Sequence, residues 1–231
     1  MNNIKWVILD LDNTLYGYDY PNMKWNKAVL DYANIKLGIS IQEIENAILW
    51  ARKKNHESIP NHGASHSRLL YFQKALENLT GKTNFVLNLE MEEIFWNTFI
   101  DNMKLYDDVI VFLDYIKKQN KKILILTDLT AQIQKKKIIK LWIHNYIDYL
   151  VSSEEAGAEK PDPIIFKLSL EKLWLQKNEV CMIGDNYEKD IVWAKNFGIK
   201  KTYHKIDEIT GFLEDQNVVR FKVFSEIIKY F

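Results

Sequence analysis

The sequence predicts an α/β protein in which a parallel sheet is interrupted by an all-helical insertion. Three observations carry that expectation. Short apolar runs alternate with helical patterns from Asp107 to Phe231, whereas the stretch from about Gly17 to Tyr106 reads as helix after helix. Carboxylates, a threonine hydroxyl and a lysine follow the apolar runs, on the edge where open parallel sheets bind ligands.

The candidate strands are Lys5–Leu9, Lys122–Leu126, Tyr149–Ser152, Glu179–Ile183, Lys201–His204 and Arg220–Phe224. Most are continuously apolar and do not alternate with polar residues, as expected for strands covered on both faces. The helical segments between them are "DDVIVFLDYIKKQN", "AQIQKKKIIKLWI", "PIIFKLSLEKLWL" and "KDIVWAKNFG". In the first, Val109, Phe112, Leu113 and Ile116 share a face; in the third, Ile165, Leu168 and Leu175 do. Strand alternating with helix implies right-handed crossovers, and so a Rossmann-like parallel core with helices on both faces.

The insertion contains "MKWNKAVLDYANIKLG", "SIQEIENAILWARKKN", "SHSRLLYFQKALENLTG" and "LEMEEIFWNTFIDNM". Gly38 and Gly81 sit where helix C-caps belong. Ser40 followed by Glu43 fits a capping box. The polar segment "NHESIPNHGAS" splits the helices into two halves. The expected division is a core of residues 1–16 and 107–231 and a helical domain of residues 17–106, with no internal repeat.

A chain of 231 residues has room for both. Lys+Arg and Asp+Glu each number 31, and the zero net charge gives no pull toward nucleic acid or an anionic membrane. The basic run "QKKKIIK" around Lys135 reads as a solvated helix face. The single cysteine, Cys181, forms no internal disulfide and reads as a small core residue. No apolar run is long enough to span a bilayer, and "MNNIKWVILDLD" lacks a signal-peptide pattern, so the expected location is the cytoplasm. Trp25, Trp50, Trp96, Trp142, Trp174 and Trp193 recur on apolar helical faces and are expected in the core. Monomer and homodimer both remain open.

The strand ends carry the chemistry. Asp10 and Asp12 follow the first, Thr127 and Asp128 the second, Lys160 the third, and Gly184, Asp185 and Asp190 the fourth. Capping explains any one of these residues alone. Four strand ends delivering such groups to one edge point to a site. Carboxylates gathered at one locus repel unless a hard cation such as Mg²⁺ joins them. An aspartate can attack phosphorus. A second carboxylate two residues on faces the same way and can protonate a leaving alcohol, then activate water. Thr127 and Lys160 supply a donor and a positive charge for phosphoryl oxygens.

"DLDNTLY", "ILTD", "EKPDP" and "GDNYEKD", in this order, resemble the four motifs of the haloacid dehalogenase superfamily of aspartate-nucleophile phosphohydrolases. The insertion resembles that family's α-helical cap. The resemblance implies Asp10 as nucleophile and Mg²⁺ ligand, and Asp12 as general acid/base with its backbone carbonyl on the metal. It implies phosphate binding by the Thr127 hydroxyl and the Asp128 N–H, with Lys160 clamping nucleophile and phosphate. Asp185 is implied as a metal ligand, and Asp190 as a support for the metal or Lys160. The family often has Asn-Gly after the threonine, where Asp128 and Leu129 stand here. Asp128 is therefore expected to turn away and cap the helix starting near Thr130. Family members that cleave carbon–halogen bonds lack an acid at the position of Asp12, which argues against a dehalogenase.

The expected function is Mg²⁺-dependent hydrolysis of a small-molecule phosphate monoester through an aspartyl-phosphate. The alternatives are a phosphomutase acting on a sugar phosphate and a non-catalytic phosphometabolite-binding protein. Tyr16, with Tyr18 and Tyr20, is expected to line the site entrance. His62, His66 and Arg68 are candidate substrate contacts, with Arg68 able to grip a second anion. His62 and His66 are four apart, but no carboxylate or thiol completes a metal set.

Overall fold

A computed structural model describes residues 4–174, 176–207 and 218–231. Leu175, expected on a helix face, lies outside the described residues. The chain forms two compact units, Met1–Gly17 with Lys104–Phe231, and Tyr18–Met103.

The first unit is built on a six-stranded sheet of β1 (Trp6–Leu9), β2 (Lys122–Thr127), β3 (Tyr149–Ser152), β4 (Val180–Gly184), β5 (Lys201–Lys205) and β6 (Val219–Phe221). The spatial order is β3-β2-β1-β4-β5-β6, and every pairing is parallel. β1 is central, with Leu9 opposite both Ile125 and Ile183. Strand order reverses between β1 and β4, and ligand crevices of open sheets form at such a reversal. The continuous apolar runs are explained by burial on both faces. Trp6, Ile8, Leu124, Leu126, Val180 and Met182 pack with Ile165 and Phe166. Val7, Leu9, Ile123, Ile125, Cys181 and Ile183, on the alternate positions, are also fully buried. Burial pushes the Cys181 thiol well above its ordinary range, consistent with an inert core residue.

The second unit contains α1 (Asp19–Leu37), α2 (Ile41–Ser58), α3 (Arg68–Thr80) and α4 (Phe85–Asp101). Gly38 and Gly81 close α1 and α3 in the left-handed conformation, and Ser40 and Glu43 form the reciprocal capping box of α2. The packing centre is aromatic, with Trp25 4.5 Å from Phe95 and Phe95 4.6 Å from Trp96, ring centre to centre. In the first unit, α5 (Val109–Lys118) and α6 (Ala131–Lys140) are followed by the single turn α7 (Ser153–Ala156) and α8 (Pro163–Leu173). A π-helical turn over Tyr187–Val192 then leads into α9 (Trp193–Phe197).

Two expectations need correction. Residues 222–224 are not strand: β6 stops at Phe221, and Phe224 opens a short 3₁₀ turn. The segment "KDIVWAKNFG" is helical as expected, π-helical through Val192 and α from Trp193 to Phe197. The tryptophans are not all core: Trp96 is buried, but Trp142 and Trp174 are 76% and 93% exposed. Both follow the last helical residue of α6 and α8 in the left-handed region (φ 58° and 53°), so helical periodicity no longer directs their side chains.

Candidate active site

The site grows from the end of β1. The Asp10 N–H donates to the Ile183 carbonyl at 2.9 Å, which ties the exit of β1 to that of β4. Asn13 then adopts φ 61°, a left-handed turn that asparagine tolerates. The reversal brings Thr14 back over the strand end. Its hydroxyl reaches Asp10 Oδ2 at 3.0 Å and Asp185 Oδ1 at 3.3 Å. With a single proton to donate, it serves the two carboxylates in alternation.

Lys160 stands opposite. Its Nζ lies 2.6 Å from Asp10 Oδ1 and 2.7 Å from Asp190 Oδ1, and all three side chains are buried. Burial works against the ammonium, but Asp10, Asp190 and Asp128 outweigh it and hold the Lys160 pKa well above its ordinary value. A buried ion pair is a poor route to stability, because packed apolar groups of similar volume do as well or better. Its presence at a strand end reads as chemistry. Asp190 is locked by a second contact, accepting the Asn186 N–H at 3.0 Å. Gly184 makes room for it: a Cβ there would collide with the Asp190 carboxylate.

Asp10, Asp185 and Asp190 bring carboxylate oxygens within 4.8 Å of one another. Burial, with Asp190 and Asp185 nearby, pushes the Asp10 carboxyl well above the usual range despite Lys160. Burial and Asp190 likewise push Asp185 up to about 6, against Lys160, its own backbone N–H and Thr14. Carboxylates under such mutual repulsion favour a cation among them. The donor set is all oxygen and suits a hard divalent ion.

Asp12 stands in the opposite environment. Lys137 Nζ donates to its Oδ1 at 2.6 Å, and the Tyr16 hydroxyl donates to the same oxygen. Gln134 Nε2 reaches Oδ2 at 3.1 Å. Burial opposes ionisation here too, but Lys137 and the bonds from Tyr16 and Gln134 outweigh it and hold the Asp12 carboxyl below its usual range. Gln134 Nε2 also contacts Thr127 Oγ1 and the Asp128 carbonyl, both at 2.7 Å, so one side chain joins the ends of β1 and β2.

Asp10, Asp12, Thr127, Asp128, Lys160, Asp185 and Asp190 thus form one bonded network, yet several expectations are corrected. Asp128 does turn away, but it does not cap α6. Its Oδ1 accepts the Lys160 N–H at 2.9 Å and its Oδ2 lies 3.1 Å from Lys189 Nζ, while Glu154 accepts the Ala131 N–H at the start of α6. The basic run around Lys135 is not wholly solvated, because Gln134 and Lys137 are fully buried. Tyr16 lines no entrance; it is fully buried beneath Asp12. Thr14, Gln134, Lys137 and Lys189 were not singled out by sequence. The signal for Lys137 was its spacing: it lies four residues from both Ile133 and Leu141, which are buried.

His62, His66 and Arg68 belong to the helical unit. His62 Nδ1 accepts the Ala64 N–H at 3.1 Å, and the His66 ring lies edge-on to His56. Arg68 donates to the His66 carbonyl at 2.6 Å and the Tyr18 hydroxyl at 2.5 Å. With Arg52, Trp25 and Phe95 it lines a cavity of about 170 Å³ inside that unit.

Residues 4–198 match the family model of haloacid dehalogenase-like hydrolases. The chain belongs to that family. The haloacid dehalogenase-like relatives include ribulose-1,5-bisphosphate 5-phosphatase of Halopiger xanaduensis, 34% identical across 84% of this chain and 82% of the relative. Glyceraldehyde 3-phosphate phosphatase of Methanocaldococcus jannaschii is 27% identical across 85% of this chain and 82% of its own. Among solved structures, the 2-haloacid dehalogenase of Pseudomonas syringae pv. Tomato DC3000 superposes with a TM-score of 0.82 over 98% of this chain and 97% of its own, at 19% identity. That last likeness speaks for the haloacid dehalogenase-like fold alone. Among the described residues, no helix is long and apolar enough to cross a membrane.

Proposed function

We propose that the protein hydrolyses a small-molecule phosphate monoester through an aspartyl-phosphate on Asp10. The observation that carries the reading is the buried contact of Lys160 Nζ with both Asp10 and Asp190, beside Asp185. The two relatives, both phosphatases of small phosphorylated metabolites by name, support the substrate class.

Asp10 attacks phosphorus with one carboxylate oxygen, and the bond from phosphorus to the alcohol oxygen breaks. The departing oxygen takes a proton from Asp12. Asp12 then accepts a proton from water, whose oxygen attacks phosphorus and frees Asp10 and inorganic phosphate. A dianionic phosphate held by Thr127 and Lys160 raises the Asp12 pKa by like charge, so its proton is present when needed. Thr127 and the Asp128 N–H bind phosphate oxygens, and Lys160 holds Asp10 and the phosphate together. Asp10, Asp185 and the Asp12 carbonyl would hold Mg²⁺, with Asp190 holding Lys160 in place. Bound there, Mg²⁺ supplies positive charge that keeps the carboxylates ionised and stabilises the phosphoryl oxygens. The helical unit serves as the cap that selects substrate, with His62, His66 and Arg68 as its candidate contacts.

Asp10→Asn should lower release of inorganic phosphate from p-nitrophenyl phosphate by on the order of 10⁵-fold. Turnover near the wild-type rate in that variant overturns the nucleophile assignment. Formation of an isomerised sugar phosphate without free phosphate would favour a mutase.

A further inference from the structure

We propose that Lys137 and Gln134 are positioning residues that aim Asp12 at the leaving-group oxygen. The inference rests on the phosphatase reading of Asp12. Nothing in "QKKKIIK" marks either residue for that role, and burial separates them from their neighbours: Lys135 and Lys136 are exposed, whereas Gln134 and Lys137 are fully buried. Both reach Asp12 from α6, across more than a hundred residues of sequence.

The geometry is that of a clamp. Asp12 follows β1 just before the left-handed Asn13 and forms an isolated β-bridge with Tyr16. Its Oδ1 is held by Lys137 Nζ at 2.6 Å and by the Tyr16 hydroxyl. Gln134 Nε2 lies 3.1 Å from Asp12 Oδ2 and shares its two N–H donors among Asp12, Thr127 Oγ1 and the Asp128 carbonyl. The two carboxylate oxygens are therefore gripped from different donors, which fixes the carboxylate plane. Tyr16 comes from the segment of Asp12 itself, so it cannot set Asp12 against the β2 edge. Gln134 can, because its Nε2 also lies 2.7 Å from Thr127 Oγ1, the hydroxyl assigned to phosphate. The group that donates the proton and the group that binds the phosphate are thus spaced by one amide. Positioning of this kind governs proton transfer, because a misplaced acid loses most of its effect.

The consequence is specific to the leaving group. In the first step the Asp12 O–H bond breaks as the phosphorus–oxygen bond to the alcohol breaks, and the proton goes to that oxygen. A poor leaving group depends on this proton; p-nitrophenolate leaves nearly as well without it. A merely structural role for the clamp would slow all substrates alike.

The test uses the full chain with Mg²⁺ and a series of phenyl phosphates running from p-nitrophenyl to p-methoxyphenyl, with an alkyl phosphate at the far end. The readout is kcat/KM, which stops at phosphorus–oxygen cleavage and excludes later hydrolysis of the intermediate. For Lys137→Met we expect a loss of about 100-fold on the alkyl phosphate and less than about 3-fold on p-nitrophenyl phosphate, within the range a general acid contributes. The dependence on leaving-group acidity steepens, and KM for p-nitrophenyl phosphate stays within about 3-fold. Gln134→Met reads the same slope if Lys137→Met does not fold. Lys137→Arg, which keeps a cation beside Asp12, should recover part of the alkyl activity. An equal loss across the series, or none, overturns the positioning role while leaving the phosphatase reading intact. Wild-type protein that releases phosphate from no member of the series overturns both.

Discussion

Asp10 and Asp12 are two residues apart, yet the structure gives them opposite surroundings. Asp10 sits with two further carboxylates and one lysine, and its carboxyl is pushed up. Asp12 sits with a lysine, a phenol and an amide, and its carboxyl is pulled down. A pair of acids driven apart in this way marks a division of labour. The crowded one favours a cation among its carboxylates, which suits the proposed nucleophile beside a metal. The clamped one is held ionised and oriented by its donors, which suits the proposed acid/base once bound phosphate raises its pKa. Neither difference is written in "DLD"; it comes from the partners that β4, α6 and the Lys160 loop bring to each residue.

The largest way to sharpen the contrast is Asp12→Asn. It keeps an acceptor beside Lys137 but removes the proton donor. A loss of about 10² to 10⁴ in kcat/KM is expected for alkyl phosphates, and a smaller loss for p-nitrophenyl phosphate. A uniform loss across leaving groups would break the division of roles.

Gly184→Ala acts on the crowded side alone. The added Cβ would collide with Asp190 and so disturb Lys160. Overpacking of this kind costs about 1–3 kcal/mol, which a thermal melt reads as a fall of about 2–4 °C per kcal/mol at this size. An unchanged melting temperature with full activity would show that Asp190 can move freely.

The smallest effect is a matter of pH. Asp185 is pushed up to about 6, and Asp10 is raised as well. Between the ordinary carboxylate range and about pH 6 the native state therefore keeps protons that the unfolded chain has released. Metal-free protein loses stability as pH rises through that window. Mg²⁺ binds the ionised groups, so its gain in melting temperature is full near pH 8 and shrinks below about pH 6. At a hundredfold excess over Kd the full gain corresponds to about 2.7 kcal/mol. Asp12 contributes with the opposite sign: its depressed pKa gives stability above the ordinary carboxylate range that is lost as pH falls. An equal Mg²⁺ gain at about pH 5 and pH 8 would contradict a cation site built from the raised carboxylates.

Much of the fold was legible because burial leaves a plain trace. β1, β4 and the Ile123–Leu126 part of β2 are enclosed on both faces, and those runs are unbroken by polar residues. Helix ends were legible where a cap needs a particular residue, as at Gly38, Ser40 and Gly81. Trp142 and Trp174 misled because α6 and α8 end before reaching them. The acids at the strand ends announced a site because charge seldom follows a buried strand without a reason. Lys137 was hidden because a lysine among lysines looks solvated, and its partner lies at the far end of the chain. Asp128 was read as a cap because local partners are the default for aspartate, whereas its partners come from the segments after β3 and β4.

The central claim is that Asp10 carries the phosphoryl group. Wild-type protein with Mg²⁺ and an excess of labelled aryl phosphate can be quenched in acid within one turnover, digested and mapped. Expected is phosphate on the peptide containing Asp10, released by hydroxylamine as an acyl-phosphate is, and absent from Asp10→Asn. Label on another residue, or brisk turnover with no protein-bound phosphate at any quench time, would contradict it.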